Sequence, residues 1–210
     1  MEKTVYTVFA PCESEKTIEK SRFLTYSAHV ESEEEARDFI AKIRQQHTLA
    51  THVCYAFIAD KTGNLQRFSD DGEPQGTAGV PMLEVVKAKK LSETAVAVVR
   101  YFGGVKLGAG GLVRAYSSCV AENLDKADIR ALCMCSEQKI TVDYTGADAL
   151  RNYILAKAVP QLNTDYGEKV TVTVAVKLTD EKAFLDGLID YMQGRVTVEK
   201  TGEYYFPFGY

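Results

Sequence analysis

With 210 residues, 46% apolar and 26% charged, the chain has enough material for one large core or two small ones and needs no help to fold. A formal net charge of −4 excludes a protein that coats nucleic acid through bulk charge, although a local basic patch stays compatible with it. Five cysteines without paired CxxC spacing, and no apolar run of membrane-span length, point to a reducing, cytoplasmic setting and no membrane partner.

In chain order, the first predicted strand covers residues 22–30, after an N-terminal stretch whose apolar run is broken by Pro11. Ser32 followed by Glu35 is a capping-box signature, and Ala36, Phe39, Ile40 and Ile43 recur at helical spacing behind it. "THVCYAFIAD" and "LQRFSD" read as a hairpin around "KTGN", with Gly63 or Asn64 supplying a positive φ. After the loop "DDGEPQGTAG", Thr77 is the expected cap of a helix through "GVPMLEVVKAKK", with Pro81 in its first turn. "TAVAVVRYF" is continuously apolar until Arg100, as in a strand buried on both faces. A helix follows, with Leu112, Val113, Tyr116, Cys119, Val120 and Leu124 on one face, ending near Ala127.

Beyond a boundary placed near residues 129–137, the order is "QKITVDY", "GADALRNYILAKA", "PQLNTDYG", "KVTVTVAVK", "DEKAFLDGLIDYMQ" and "RVTVEK". Read as strand, helix, strand, strand, helix, strand, this βαββαβ order is the signature of a ferredoxin-like sandwich. Val170, Val172, Val174 and Val176 mark one face of its third strand, Thr179 the expected cap of its second helix, and Gly194 that helix's end. The fold class is therefore α+β, divided into residues 1–130 and 137–210. Cys133 and Cys135 read as strand residues rather than a metal or redox pair.

The segment "RYFGGVKLGAGGLVRAY" sets Gly103, Gly104, Gly108, Gly110 and Gly111 between a buried strand and a helix. One reading is an anion site. Backbone N–H groups and a helix start at about Gly110 would supply the donors, and Arg100, Lys106 and Arg114 the charge. The other is a tight crossover and close helix–sheet packing with no ligand. No Gly-Lys-Ser/Thr is present and Val113 stands where a dinucleotide fingerprint needs its third glycine, so no cofactor is expected. Asp70, Asp71 and Glu73 form an acidic loop that could ligate a hard cation, or serve as a solvated turn with ion-pair partners in Arg67, Arg100 or Lys106.

His29, His47 and His52 share no metal-ligand spacing, and a metal is left unassigned. His52 and Cys54, on one face of a strand, read as packing residues rather than a nucleophilic pair. Lys20, Arg22 and Arg67 join Arg100, Lys106 and Arg114 in a basic set interleaved with Phe23, Phe68, Tyr101 and Phe102. Such a mixture suits RNA backbone and bases, though aromatics at these positions are more often core.

The segments "KSRF", "HVCYAF", "SDDGEPQGTAGVP" and "VVRYFGGVKLGAGGLVRAY", in this order over residues 20–124, resemble the YigZ/IMPACT family. The resemblance implies a first domain similar to domain two of the fifth small-subunit ribosomal protein. It implies a ferredoxin-like second domain similar to the last domain of elongation factor G. It also implies an association with translation, since animal and fungal members regulate it through a protein-binding domain that this chain lacks. The expected function is a non-enzymatic, translation-linked regulator that binds RNA, the ribosome or a translation factor through the first-domain glycine-rich and acidic loops. The alternative is a metal-dependent enzyme that acts on a phosphate-containing small molecule through Asp70, Asp71 and Glu73.

Overall fold

The structure, a computed structural model, describes residues 5–208 and is α+β. It forms two compact units that part between Ala131 and Leu132.

The first unit contains β1 (Val5–Val8), β2 (Cys12–Ile18), β3 (Ser21–His29), α1 (Glu33–Gln46), β4 (His52–Ile58), β5 (Gln66–Ser69), α2 (Gly79–Ala88), β6 (Thr94–Tyr101) and α3 (Gly108–Lys126). Its sheet runs β2-β3-β6-β4-β5, with every pairing antiparallel. β6 is central and buried along nearly its whole length because helices cover both faces. Val96 and Val98 point toward α2 and α3, packing with Met82, Val86, Tyr116 and Val120. Ala95, Ala97 and Val99 point the other way, where α1 contributes Ala36, Ile40 and Ile43. Strand alternation thus divides one continuous apolar run between two cores.

Two local expectations need correction, and one strand is additional. Cys12–Ile18, not among the predicted elements, is an edge strand with Glu13, Glu15 and Thr17 in solvent, a half-polar pattern that carries little apolar signal. Val113 is exposed rather than core-facing. Thr77 does not cap α2, because its hydroxyl donates to the Pro74 carbonyl at 2.6 Å. The box at α1 is present with one difference. Ser32 accepts from Glu35 N at 3.2 Å, but the Glu35 carboxylate accepts from Glu31 N at 2.8 Å, one residue before the cap. Gly63 provides the hairpin's positive φ, at 80°.

β7 (Ile129–Val142) enters the second unit at Leu132 and is followed there by α4 (Ala147–Ala156), β8 (Gln161–Tyr166), β9 (Val170–Lys177), α5 (Glu181–Tyr191) and β10 (Thr197–Phe208). β9 pairs antiparallel with both β7 and β8, and β10 pairs with β7. Val170, Val172, Val174 and Val176 are buried together with Ile140, Leu150, Phe184 and Leu188. Thr179 does not cap α5 either: the cap position is Asp180, with no side-chain cap hydrogen bond. The aromatic tail continues β10, and Phe208 packs on Cys135 and Ala175.

Candidate functional site

The four segments that carry the family resemblance meet at one end of the first unit's sheet. In register, Arg100 of β6 stands between Phe23 of β3 and His52 of β4. Its side chain is on the α2/α3 side, 5% exposed, and would bury a charge alone without a counter-ion. Glu73 of the acidic loop supplies one, with its carboxylate accepting from Arg100 at 2.6 Å and from the Tyr116 hydroxyl at 2.7 Å. His52 Nε2 lies 3.8 Å from the other Glu73 oxygen. Ser21 Oγ accepts from Arg100 at 3.3 Å and from Gly103 N at 3.3 Å. Phe23 and Phe102 place their rings within 5.5 Å of the guanidinium. Arg100 Nε is buried with no partner.

Arg100 is therefore turned inward, and the expectation that it adds charge to a surface anion site is corrected: its charge is neutralised by Glu73. Cys54 sits in the same cluster, 3.4 Å from the Tyr116 oxygen and 3.0 Å from the Asp70 carbonyl. Burial pushes its thiol up to about 12, against the Tyr116 hydrogen bond that lowers it, which disfavours the reactive thiolate. Burial also raises the Tyr116 phenol, holding it in the donor form that Glu73 requires. Ser21 and Tyr116 were absent from the sequence-based site. The available signal was a tyrosine hydroxyl on an otherwise apolar helix face, since a buried phenol needs an acceptor.

Each carboxylate of the acidic loop has its own partners. Asp70 accepts from Gly76 N at 2.8 Å, Ala78 N at 2.9 Å and Gly79 N at 2.8 Å, so it caps α2 from eight or nine residues away in the chain. Burial raises the Asp70 pKa, but the three backbone donors outweigh it and leave the carboxyl below its ordinary value. Asp71 accepts from Arg44 at 2.6 Å and from Val53 N at 2.6 Å, binding the loop to α1 and β4. Of the predicted partners only Arg100 is used. Among the described residues these three carboxylates do not converge as a metal-ligand group.

The glycines answer to different demands. A Cβ at Gly103 would sit 1.9 Å from the Lys20 carbonyl oxygen, so the backbones touch where only hydrogen fits. Gly104 and Gly108 take φ of 85° and 70°, turning the chain from β6 into α3. Gly110 and Gly111 lie in the first turn of α3, which starts at Gly108 rather than Gly110. That turn has no side-chain cap and no acidic residue, and Gly108, Ala109 and Gly110 are exposed. Arg114 reaches back along the helix, with its guanidinium 3.8 Å from a Cβ position at Gly110.

Lys106, Lys16 and Arg114 line a cleft of about 620 Å³ beside this turn. Lys16 is paired with Glu122, whereas neither Lys106 nor Arg114 has an ion pair among the described residues. Of the other predicted basic residues, Arg22 pairs with Glu15 at 2.7 Å and Arg67 with Glu33 at 3.5 Å. Phe23 is core, while Phe68 and Phe102 are exposed.

Comparison with known proteins places these features. The Impact N-terminal domain model matches residues 19–124, and a domain of unknown function matches residues 140–195. "IMPACT family member YvyE" of Bacillus subtilis is 39% identical over 198 residues, covering 94% of this chain and 91% of the relative. "IMPACT family member YigZ" of Escherichia coli is 36% identical over 190 residues, covering 88% and 92%. A 30% match to "Protein IMPACT homolog" of Saccharomyces cerevisiae covers 42% of this chain and 35% of the yeast protein. A solved structure titled "Crystal structure of an hypothetical protein" aligns at TM-score 0.62 and 31% identity over 96% of this chain and 99% of its own. No helix among the described residues is long and apolar enough to cross a membrane.

Proposed function

This chain belongs to the IMPACT family, and from that premise we propose that it is a cytoplasmic, non-enzymatic, translation-linked protein that grips RNA phosphate through the first turn of α3. One arrangement carries the reading: an uncapped helix N-terminus flanked by Lys106 and Arg114, two cations without ion-pair partners among the described residues. Backbone N–H groups and the helix dipole favour an anion at that position, and the side chains supply the charge. The Glu73–Arg100–Tyr116 cluster and the Gly103–Lys20 contact hold the loop from beneath. In this reading the acidic loop braces the site. The first unit serves in this reading as the ribosomal-protein-like domain and the second as a ferredoxin-like accessory platform.

The test is fluorescence polarisation of a labelled RNA hairpin over a potassium chloride titration. Lys106→Ala weakens binding by about 1 kcal/mol and lowers the salt slope by about one unit, because one phosphate contact no longer releases its counterion. Thermal stability stays the same. If Lys106→Ala and Arg114→Ala both leave affinity unchanged at every salt concentration, the glycines serve the crossover alone and the reading fails.

A further inference from the structure

We propose that His29, Glu31 and Glu93 hold a divalent transition-metal ion, zinc by preference, at the end of the β3–β6 ladder opposite Arg100. Each of the three offers one ligand atom, and these atoms lie within 4.8 Å of one another. The backbone fixes them in place. His29 pairs with Thr94 in register, Glu93 immediately precedes β6, and Val30 N donates to the Glu93 carbonyl at 3.0 Å. Glu93 adopts a φ of 48°, a left-handed conformation that a side chain resists and that accumulates at functional positions.

Two observations point to a cation. The Glu93 side chain is only 3% exposed; its Oε1 pairs with Lys61 at 2.9 Å, but its Oε2 is buried with no partner. A buried carboxylate oxygen without a donor is costly, and an ion would satisfy it. The second observation is the tautomer of His29. The Thr7 hydroxyl donates to the Glu93 carbonyl at 2.8 Å and so has no hydrogen left for His29 Nδ1, which is 2.8 Å away. Nδ1 must donate, which is the outer hydrogen bond that orients a metal-ligating imidazole. In the neutral ring Nε2 then presents its lone pair to Glu31 Oε1 at 3.1 Å. A cation held by both would satisfy this pair of acceptors.

The donor set selects the ion. Calcium and magnesium favour all-oxygen shells, whereas one imidazole and two carboxylates suit zinc, with water in a fourth position. Donors on one tetrahedral zinc stand about 3.4 Å apart, so closure needs only small side-chain movements. Lys61 offsets part of the carboxylate charge.

The experiment uses the full chain stripped of metal, titrated with zinc by calorimetry and with cobalt by visible absorption. Wild type binds one zinc, and Glu93→Gln and Glu31→Gln each weaken it at least tenfold. Glu31 is 63% exposed, so its variant folds even if Glu93→Gln does not. The cobalt spectrum lacks a thiolate charge-transfer band, which separates this site from the five cysteines. Unchanged zinc affinity in Glu31→Gln, a thiolate band, or no zinc binding overturns the proposal.

Discussion

Removing the carboxylate of Glu73 is the most severe single truncation that the first unit can suffer at its polar cluster. Glu73→Ala leaves the Arg100 guanidinium, 5% exposed, with only Ser21 Oγ at 3.3 Å and two aromatic rings. Breaking one side of a buried ion pair costs about 3–5 kcal/mol. The Tyr116 hydroxyl loses its acceptor as well, a penalty of about 1–3 kcal/mol if taken alone. Both donors use the same Glu73 oxygen, so the two penalties overlap and the expected loss is about 3–5 kcal/mol rather than their sum. Amide hydrogen exchange of β6 reads this loss for the first unit alone, since its central strand opens only with that unit's core. Glu73→Ala combined with Arg100→Met regains part of the loss, because no uncompensated charge is left behind. A loss below about 1 kcal/mol would mean that Arg100 finds water, and would refute the claim that this cluster is sealed.

Gly103→Ala drives a methyl to 1.9 Å from the Lys20 carbonyl, so two backbone segments must separate; a loss of at least about 1–3 kcal/mol is expected in thermal melts. Asp70 has a depressed folded-state pKa, so its stabilisation is complete above the ordinary carboxylate value of about 4 and is lost as pH falls through the folded value. Asp70→Asn should flatten that acid limb in a pH series of urea melts, and an unchanged limb would contradict the cap. Residues 132–210 expressed alone should unfold cooperatively by circular dichroism. Val174→Asp, which buries a carboxylate among apolar side chains, should abolish that transition.

Much of this protein is local and was legible before folding. The valine run of β6, the alternating valines of β9, the Ser32 cap and the βαββαβ order all follow from periodicity and short-range capping, which depend on neighbours in the chain. The glycines between β6 and α3 also announced a turn. Why they are there was not local: Gly103 answers to Lys20, more than eighty residues earlier, and no spacing rule reports that approach. The same holds for charge. Arg100 and Lys106 look alike in a list of basic residues, but sheet register buries the first against Glu73 while the second is left on the surface. Asp70 read as a cation ligand or as part of a solvated turn, because its role as a cap for α2 is set by the path of the loop, not by its neighbours. His29, Glu31 and Glu93 lack any ligand spacing because antiparallel pairing of β3 with β6, not sequence distance, brings them together. Periodicity decides which elements form; the pairing of distant strands decides which side chains meet, and the chemistry of this chain lies in those meetings.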